Sequence, residues 1–425
     1  MGCFFLKTQQ FARALPRLTL QTLAWIVLLT PSVVHAQCPS LADAGKPAVA
    51  EPQFYDEPQF TVAGVIDPTN LGGHGSDTVV RTKESLAKDA AALGRNATPA
   101  SPPANAESRA AYELARSYAD AGQYGRARDS VRSLLDRDSL DQEKSAQHLS
   151  QQDQAALHRL LAAVEEKLDD PVEAVRQYQL AADLDPSEAN IFDWGAEMLM
   201  HHAPEPAIAV FAKGNRVFPH SVRMLTGLGV AWYERGSYDQ AAMRLCQAAD
   251  LDPKDPNPYL FLGKMLTAET VQPEGMAQRL ERFARLQPEN AQANYYYALS
   301  LWKQRKDPED RKNLAQVESL LQKAVRLDPN LAAAHLQLGI VYAERNDFSQ
   351  AITAYQKAAE ADPGLAEPHY RLAQAYKRTG ENRKAQQELQ LDQQISSQNV
   401  AEIERQRHEL RQFVYTLQRG SSSPQ

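Results

Sequence analysis

The chain has 425 residues, 43% hydrophobic and 23% charged, with a formal net charge of −7. That length exceeds what one compact core usually holds. The acidic balance excludes the basic footprint of a nucleic-acid binder.

The first 36 residues read as an export signal. Lys7, Arg13 and Arg17 give a positive start, and Leu23–Leu29 is an unbroken apolar centre. Pro31 follows, and Val34-His35-Ala36 places small residues where a signal peptidase reads, so the expected cut falls after Ala36. Seven apolar residues are too few to span a bilayer, which takes about 20. Cleavage removes three positive charges and no acids, taking −7 to −10. The mature chain is expected in the periplasm or cell envelope, without a stable membrane span.

Residues 37–105 read as an N-terminal arm and linker. Glu-Pro-Gln-Phe occurs twice, at Glu51 and Glu57, and Phe54, Tyr55, Phe60, Val62, Val65 and Ile66 are concentrated here. Flexible linkers avoid such residues, so this segment predicts an extended arm that docks on the chain itself or on a partner. Asn70–Arg81, NLGGHGSDTVVR, is unusual in holding three glycines, a histidine, a serine and an aspartate. No lysine follows the glycines, so it is not a phosphate loop, and Thr78 stands where a dinucleotide fingerprint needs its third glycine. His74 and Asp77 are too few for a structural zinc site, and no Gly-x-Ser-x-Gly elbow surrounds Ser76. The stretch reads as a connector into a helix over 82–93, capped by Ser76 or Asp77. The Ala/Pro/Asn-rich 94–105 is a second linker.

From residue 106 one pattern recurs. Prolines close similar segments at Leu184-Asp-Pro186, Val217-Phe-Pro219, Leu251-Asp-Pro253, Leu286-Gln-Pro288, Leu327-Asp-Pro329 and Ala361-Asp-Pro363. In Ala332–Leu365, His335, Leu338, Gly339 and Tyr342 share one helix face. Asn346-Asp347 makes a turn, Ala351, Tyr355 and Ala358 mark a second helix, and Pro363 ends it. Gly339 and Ala351 permit close approach of the two helices, and the tyrosines fill the space. The same positions recur as Leu228-Gly229, Trp232, Ala241, Leu245 and Ala248, as Trp194-Gly195, Ala207, Phe211 and Gly214, and as Leu161-Ala162, Ala174, Tyr178 and Ala181. They return in Leu372-Ala373, Tyr376 and Ala385, and in Leu114-Ala115, Tyr118 and Ala127. Two segments depart: Pro256–Asn290 has Met276 where a small residue belongs, and Ala291–Leu331 carries an insertion within Lys303–Asn313.

This pattern resembles the tetratricopeptide repeat. The resemblance implies an all-α, right-handed α-solenoid of about eight stacked helix pairs over 106–399. A capping helix over 382–419 overlaps the last repeat, and a short tail covers 420–425. The arm is also similar to a segment preceding the repeats in a group of exported bacterial proteins of this kind. In the family, first helices line a concave groove that binds ligands. The implied groove positions here are Phe192, Met200, Tyr233, Leu260, Lys264, Tyr295, Leu299, Trp302, Leu336, Ile340, Tyr370 and Lys377. The paired lysine and asparagine clamp for acidic peptide tails is not recognisable, so the groove suits an extended peptide or a partner helix.

No motif for a catalytic centre, cofactor or metal emerges. The expected function is non-catalytic protein binding in the cell envelope, with no nucleic acid; the sequence leaves the oligomeric state open. Alternatives are an assembly factor for envelope, secretion or polysaccharide-export machinery, and an enzyme using residues 51–93. Of three cysteines, Cys3 leaves with the signal. Cys246 falls in a helix pattern and reads as a small packed apolar residue, not as half of a Cys38–Cys246 bond.

Overall fold

A computed structural model describes residue 102 and residues 106–140, 149–268, 273–305 and 311–400. The signal, the arm and the 420–425 tail lie outside the described residues. Sixteen helices follow one another in these segments, and no strand occurs among the described residues. They are α1 (Ala106–Asp120), α2 (Tyr124–Leu140), α3 (Gln151–Lys167), α4 (Pro171–Leu184), α5 (Glu188–Met200), α6 (Pro204–Val217), α7 (Val222–Glu234) and α8 (Tyr238–Leu251). Then come α9 (Asn257–Ala268), α10 (Met276–Leu286), α11 (Ala291–Gln304), α12 (Arg311–Leu327), α13 (Ala332–Glu344), α14 (Phe348–Ala361), α15 (Glu367–Thr379) and α16, helical over 382–400. Helices pack with their neighbours in sequence, pair on pair, which makes the fold an α-solenoid.

Short signals set each boundary. Ser187, Ser221 and Asn290 each accept a hydrogen bond from a backbone N–H in the first turn of the helix that follows. The repeated prolines act on the residue before them. Asp185, Asp252 and Asp362 adopt nearly the same extended backbone, with φ of −134°, −129° and −138°. Each still donates its N–H to the helix behind it, to Ala181, Ala248 and Ala358. The turn inside a pair needs one residue in the left-handed region. Gly236 and Gly380 supply it without strain, whereas Asp169, His202 and Asn346 adopt it despite a side chain.

Packing between pairs rests on rings seated against glycines. Phe211 of α6 lies against Gly195 of α5 and Gly227 of α7, so one ring joins two units. A Cβ on Gly263 of α9 would come within 2.2 Å of the Tyr296 ring on α11, and one on Gly339 within 2.4 Å of Tyr355. Met276, where the repeat has a small residue, is fully buried, and the ring of Phe283 stacks on Tyr259 at 4.8 Å. The first pair is not isolated despite the long connection after it. Tyr112, Val131 and Leu134 form a common core with Leu157 and Leu161 of α3.

Polar contacts also span units. Arg132 meets Glu165 at 2.7 Å, Arg159 donates to Asp193 at 2.6 Å, and Ser221 donates to Glu188 at 2.7 Å. The most buried of these clusters centres on Asp250 of α8, 5% exposed, which receives both Arg279 and Arg282 of α10. Arg282 also donates to the Tyr259 hydroxyl at 2.8 Å and to the Ala249 carbonyl.

Two stability outcomes follow. Gly263→Ala is expected to destabilise by about 1–3 kcal/mol, because the added methyl strikes a ring and overrides the helix preference for alanine. Asp250→Ala is expected to cost about 3–5 kcal/mol, since it strands the buried Arg279 guanidinium and removes a partner from half-buried Arg282. Urea unfolding followed by circular dichroism measures both.

Candidate functional site

The groove positions divide by accessibility along the chain. Phe192 and Tyr233, on α5 and α7, are fully buried. Phe192 packs at 5.4 Å from Phe211, and Tyr233 at 5.2 Å from Tyr238. Tyr295 and Leu299 of α11 are buried too, and burial holds the Tyr295 phenol well above its ordinary range. These four residues are packing residues in this structure and present no free contact face. Each sits on a helix whose turns meet neighbours on several sides. On α5 every residue from Asn190 to Leu199 is buried. Helical spacing marks a face, but it does not say whether neighbours close over that face.

The remaining positions retain exposure. Met200, Leu260, Lys264, Trp302, Leu336 and Ile340 are half-buried, and Tyr370 and Lys377 of α15 are exposed. Leu260, Trp302, Leu336 and Ile340 border the core while keeping part of their surface in solvent. A partly open apolar series therefore runs from α9 through α11 and α13 to α15. The guanidinium of Arg305 lies 4.0 Å above the Trp302 ring and donates to Glu344 of α13 at 2.6 Å. This fixes the indole at the edge of the series, combining a flat apolar face with a charged rim.

Sequence reasoning missed Arg305 and Arg223. Arg223, in the first turn of α7, lies 4.4 Å over Phe192. Its Nε and Nη2 are buried without a hydrogen-bond partner, and burial lowers the guanidinium pKa from its ordinary value. The signal for Arg305 was its place one turn after Trp302. Nothing in sequence marks Arg223, because the ring it covers belongs to another unit.

Two histidines stand in polar but enclosed settings. His158 Nδ1 is 2.6 Å from Gln177, and His335 Nε2 is 2.9 Å from the Pro329 carbonyl. Burial lowers both imidazole pKa values below the ordinary 6.5, outweighing the raising effect of the hydrogen bonds and of Glu173 at His158 and Asp328 at His335; Lys357 lowers the His335 pKa further. Among the described residues, no group of three or more His, Cys, Asp or Glu could hold a metal ion, and no helix is long and apolar enough to cross a membrane. Cys246 is completely buried, in keeping with a packed apolar residue, but it is also disulfide-bonded, against the sequence expectation.

Family comparison matches a tetratricopeptide repeat model at residues 112–189 and 204–256, and a TPR repeat model at 339–380. Comparison with functionally curated proteins finds no match. Among solved structures, the chain is similar to yeast Tom70, with 16% identity over 78% of this chain and 72% of that one, at a TM-score of 0.44. The APC/C hetero-tetramer Cut9-Hcn1 matches with 16% identity over 68% of this chain and 52% of that one, at 0.42. MamA matches with 18% identity over 49% of this chain and 96% of that one, at 0.28.

The histidines give a pH prediction. A folded-state pKa below the unfolded value means the fold favours neutral imidazole. Its contribution is complete above 6.5 and declines as pH falls below that value. Melting curves between pH 8 and about pH 5 should show this decline. His158→Gln and His335→Gln, which do not titrate, should each flatten it.

Proposed function

This chain is a tetratricopeptide-repeat protein, and from that premise we propose that it is a non-catalytic scaffold of the bacterial cell envelope. It binds a partner protein through the half-open apolar series on its later first helices. The observation that carries this reading is the run of partly exposed Leu260, Trp302, Leu336 and Ile340 leading to exposed Tyr370, on four successive first helices. Each alone would be an ordinary surface hydrophobe. In series they form a strip suited to alternate side chains of an extended peptide or to the apolar face of a helix. Exposed Lys377 and the Arg305–Glu344 pair form a polar rim that sets register more than affinity.

Tetratricopeptide solenoids act generally through such surfaces, and the export signal expected over 1–36 supports the envelope assignment. No nucleic acid is proposed as a ligand, since the net charge is −7 and the strip is apolar.

The test is photo-crosslinking from position 340 in intact cells, paired with affinity measurement on the captured protein. Leu336→Glu with Ile340→Glu should weaken binding at least about tenfold, because charges then occupy desolvated contact positions. The exposed second-helix change Gln179→Glu should leave binding unchanged. Equal affinity in all three proteins would remove the strip as the binding surface.

A further inference from the structure

The half-open strip carries a charge pattern as well as an apolar one. A helix dipole favours cations at every helix C-terminus. Among the first helices from α5 to α15, however, α5, α7, α9 and α13 have no lysine or arginine in the last turn. Cations stand instead in the last turns of α11 and α15, the helices that carry Trp302 and Tyr370. The dipole alone does not account for that placement.

The two sites differ in what meets them. At the α11 end the chain supplies its own counter-ion: Arg305 donates to Glu344 at 2.6 Å, and Lys303 also has a partner. Around α15 the acids are already matched elsewhere, Glu367 to Arg371 at 3.0 Å and, across the turn, Glu381 to Lys384 at 2.6 Å. Lys377 and Arg378 are exposed and make no ion pair among the described residues. Tyr370, Gln374, Lys377 and Arg378 recur at i, i+4, i+7 and i+8, so they share one helix face, and all four are exposed. The apolar strip thus ends on a cationic patch, in a chain whose net charge is −7.

We propose that the segment bound on the strip belongs to a partner protein and is apolar at one end and acidic at the other. Its apolar side chains cover Trp302, Leu336 and Ile340, and its carboxylates pair with Lys377 and Arg378 beside the Tyr370 ring. This inference deepens the strip reading and rests on it. An apolar strip by itself accepts many hydrophobic segments in either direction. Two adjacent cations at one end fix the direction, because a reversed segment would bury its carboxylates on apolar surface without partners. The same cations reject basic segments by like-charge repulsion.

Selection of random peptides displayed on phage, with the purified full chain as bait, tests the chemistry without a known partner. The expected pool joins an apolar run to aspartate or glutamate at one end. With Lys377→Glu and Arg378→Glu together, both on an exposed face, the expected pool carries lysine or arginine there instead. A synthetic peptide from the first pool should bind that variant at least about tenfold more weakly, and the difference should shrink as salt rises. Apolar peptides without acidic enrichment, or the same pool from the charge-reversed chain, would overturn this inference and leave the strip in place. A pool unchanged by Leu336→Glu with Ile340→Glu would remove the strip itself, and failure to enrich any peptide would overturn both.

Discussion

The structure depends on one steric constraint, the seating of a ring against a bare helix backbone. A helix pair alone leaves an apolar face uncovered. Phe211 resolves this by lying against Gly195 of its own unit and Gly227 of the next. Tyr296 approaches Gly263 in the same manner across a unit boundary. Dispersion between such surfaces is weak per atom but large over a whole ring, and it falls steeply when a gap opens. The spacing between helices is therefore set by backbone contact, and every later feature inherits that spacing.

Polar contacts follow from this repetition. Once units stack at a fixed distance, a side chain on one helix meets the corresponding region of the next, as Arg132 meets Glu165 and Arg159 meets Asp193. The Asp250 cluster is the most enclosed, and its two arginines share one carboxylate. Enclosed pairs of this kind contribute less net stability than their Coulomb attraction suggests, because desolvation opposes it. Their effect is on register: a unit displaced by one turn would leave buried charges unmatched.

Regularity also makes departures informative. At two equivalent steps before the closing proline, α4, α10 and α14 expose both polar residues, α12 exposes Ser319 but half-buries Gln322, and α6 and α8 expose neither residue. Most groove positions after Tyr233 remain partly open, whereas Phe192 on α5 and Tyr233 on α7 are closed. The described residues thus present two faces of different character. The first-helix strip toward the C-terminal end is apolar and partly open, whereas on the second helices Ala212 and Cys246 are buried and Ala209 and Met243 half-buried.

The sequence by itself determined the repeat. Proline spacing and the recurring small and aromatic residues are local signals, and each acts within a turn or two of helix, so Pro186, Gly339 and Tyr355 were legible without coordinates. It also marked the face of each first helix, because helical periodicity is a property of one segment. Only the tertiary structure decided which residues on that face remain accessible. Phe192, Tyr233, Tyr295 and Leu299 share the periodicity of Leu336 and Ile340, yet packed neighbours enclose them, as Phe211 and Arg223 enclose Phe192. Cys246 makes the same point: its helix was readable, but its disulfide was not. Exposure and covalent pairing depend on groups brought together from distant parts of the chain, and spacing along a single helix carries no record of them.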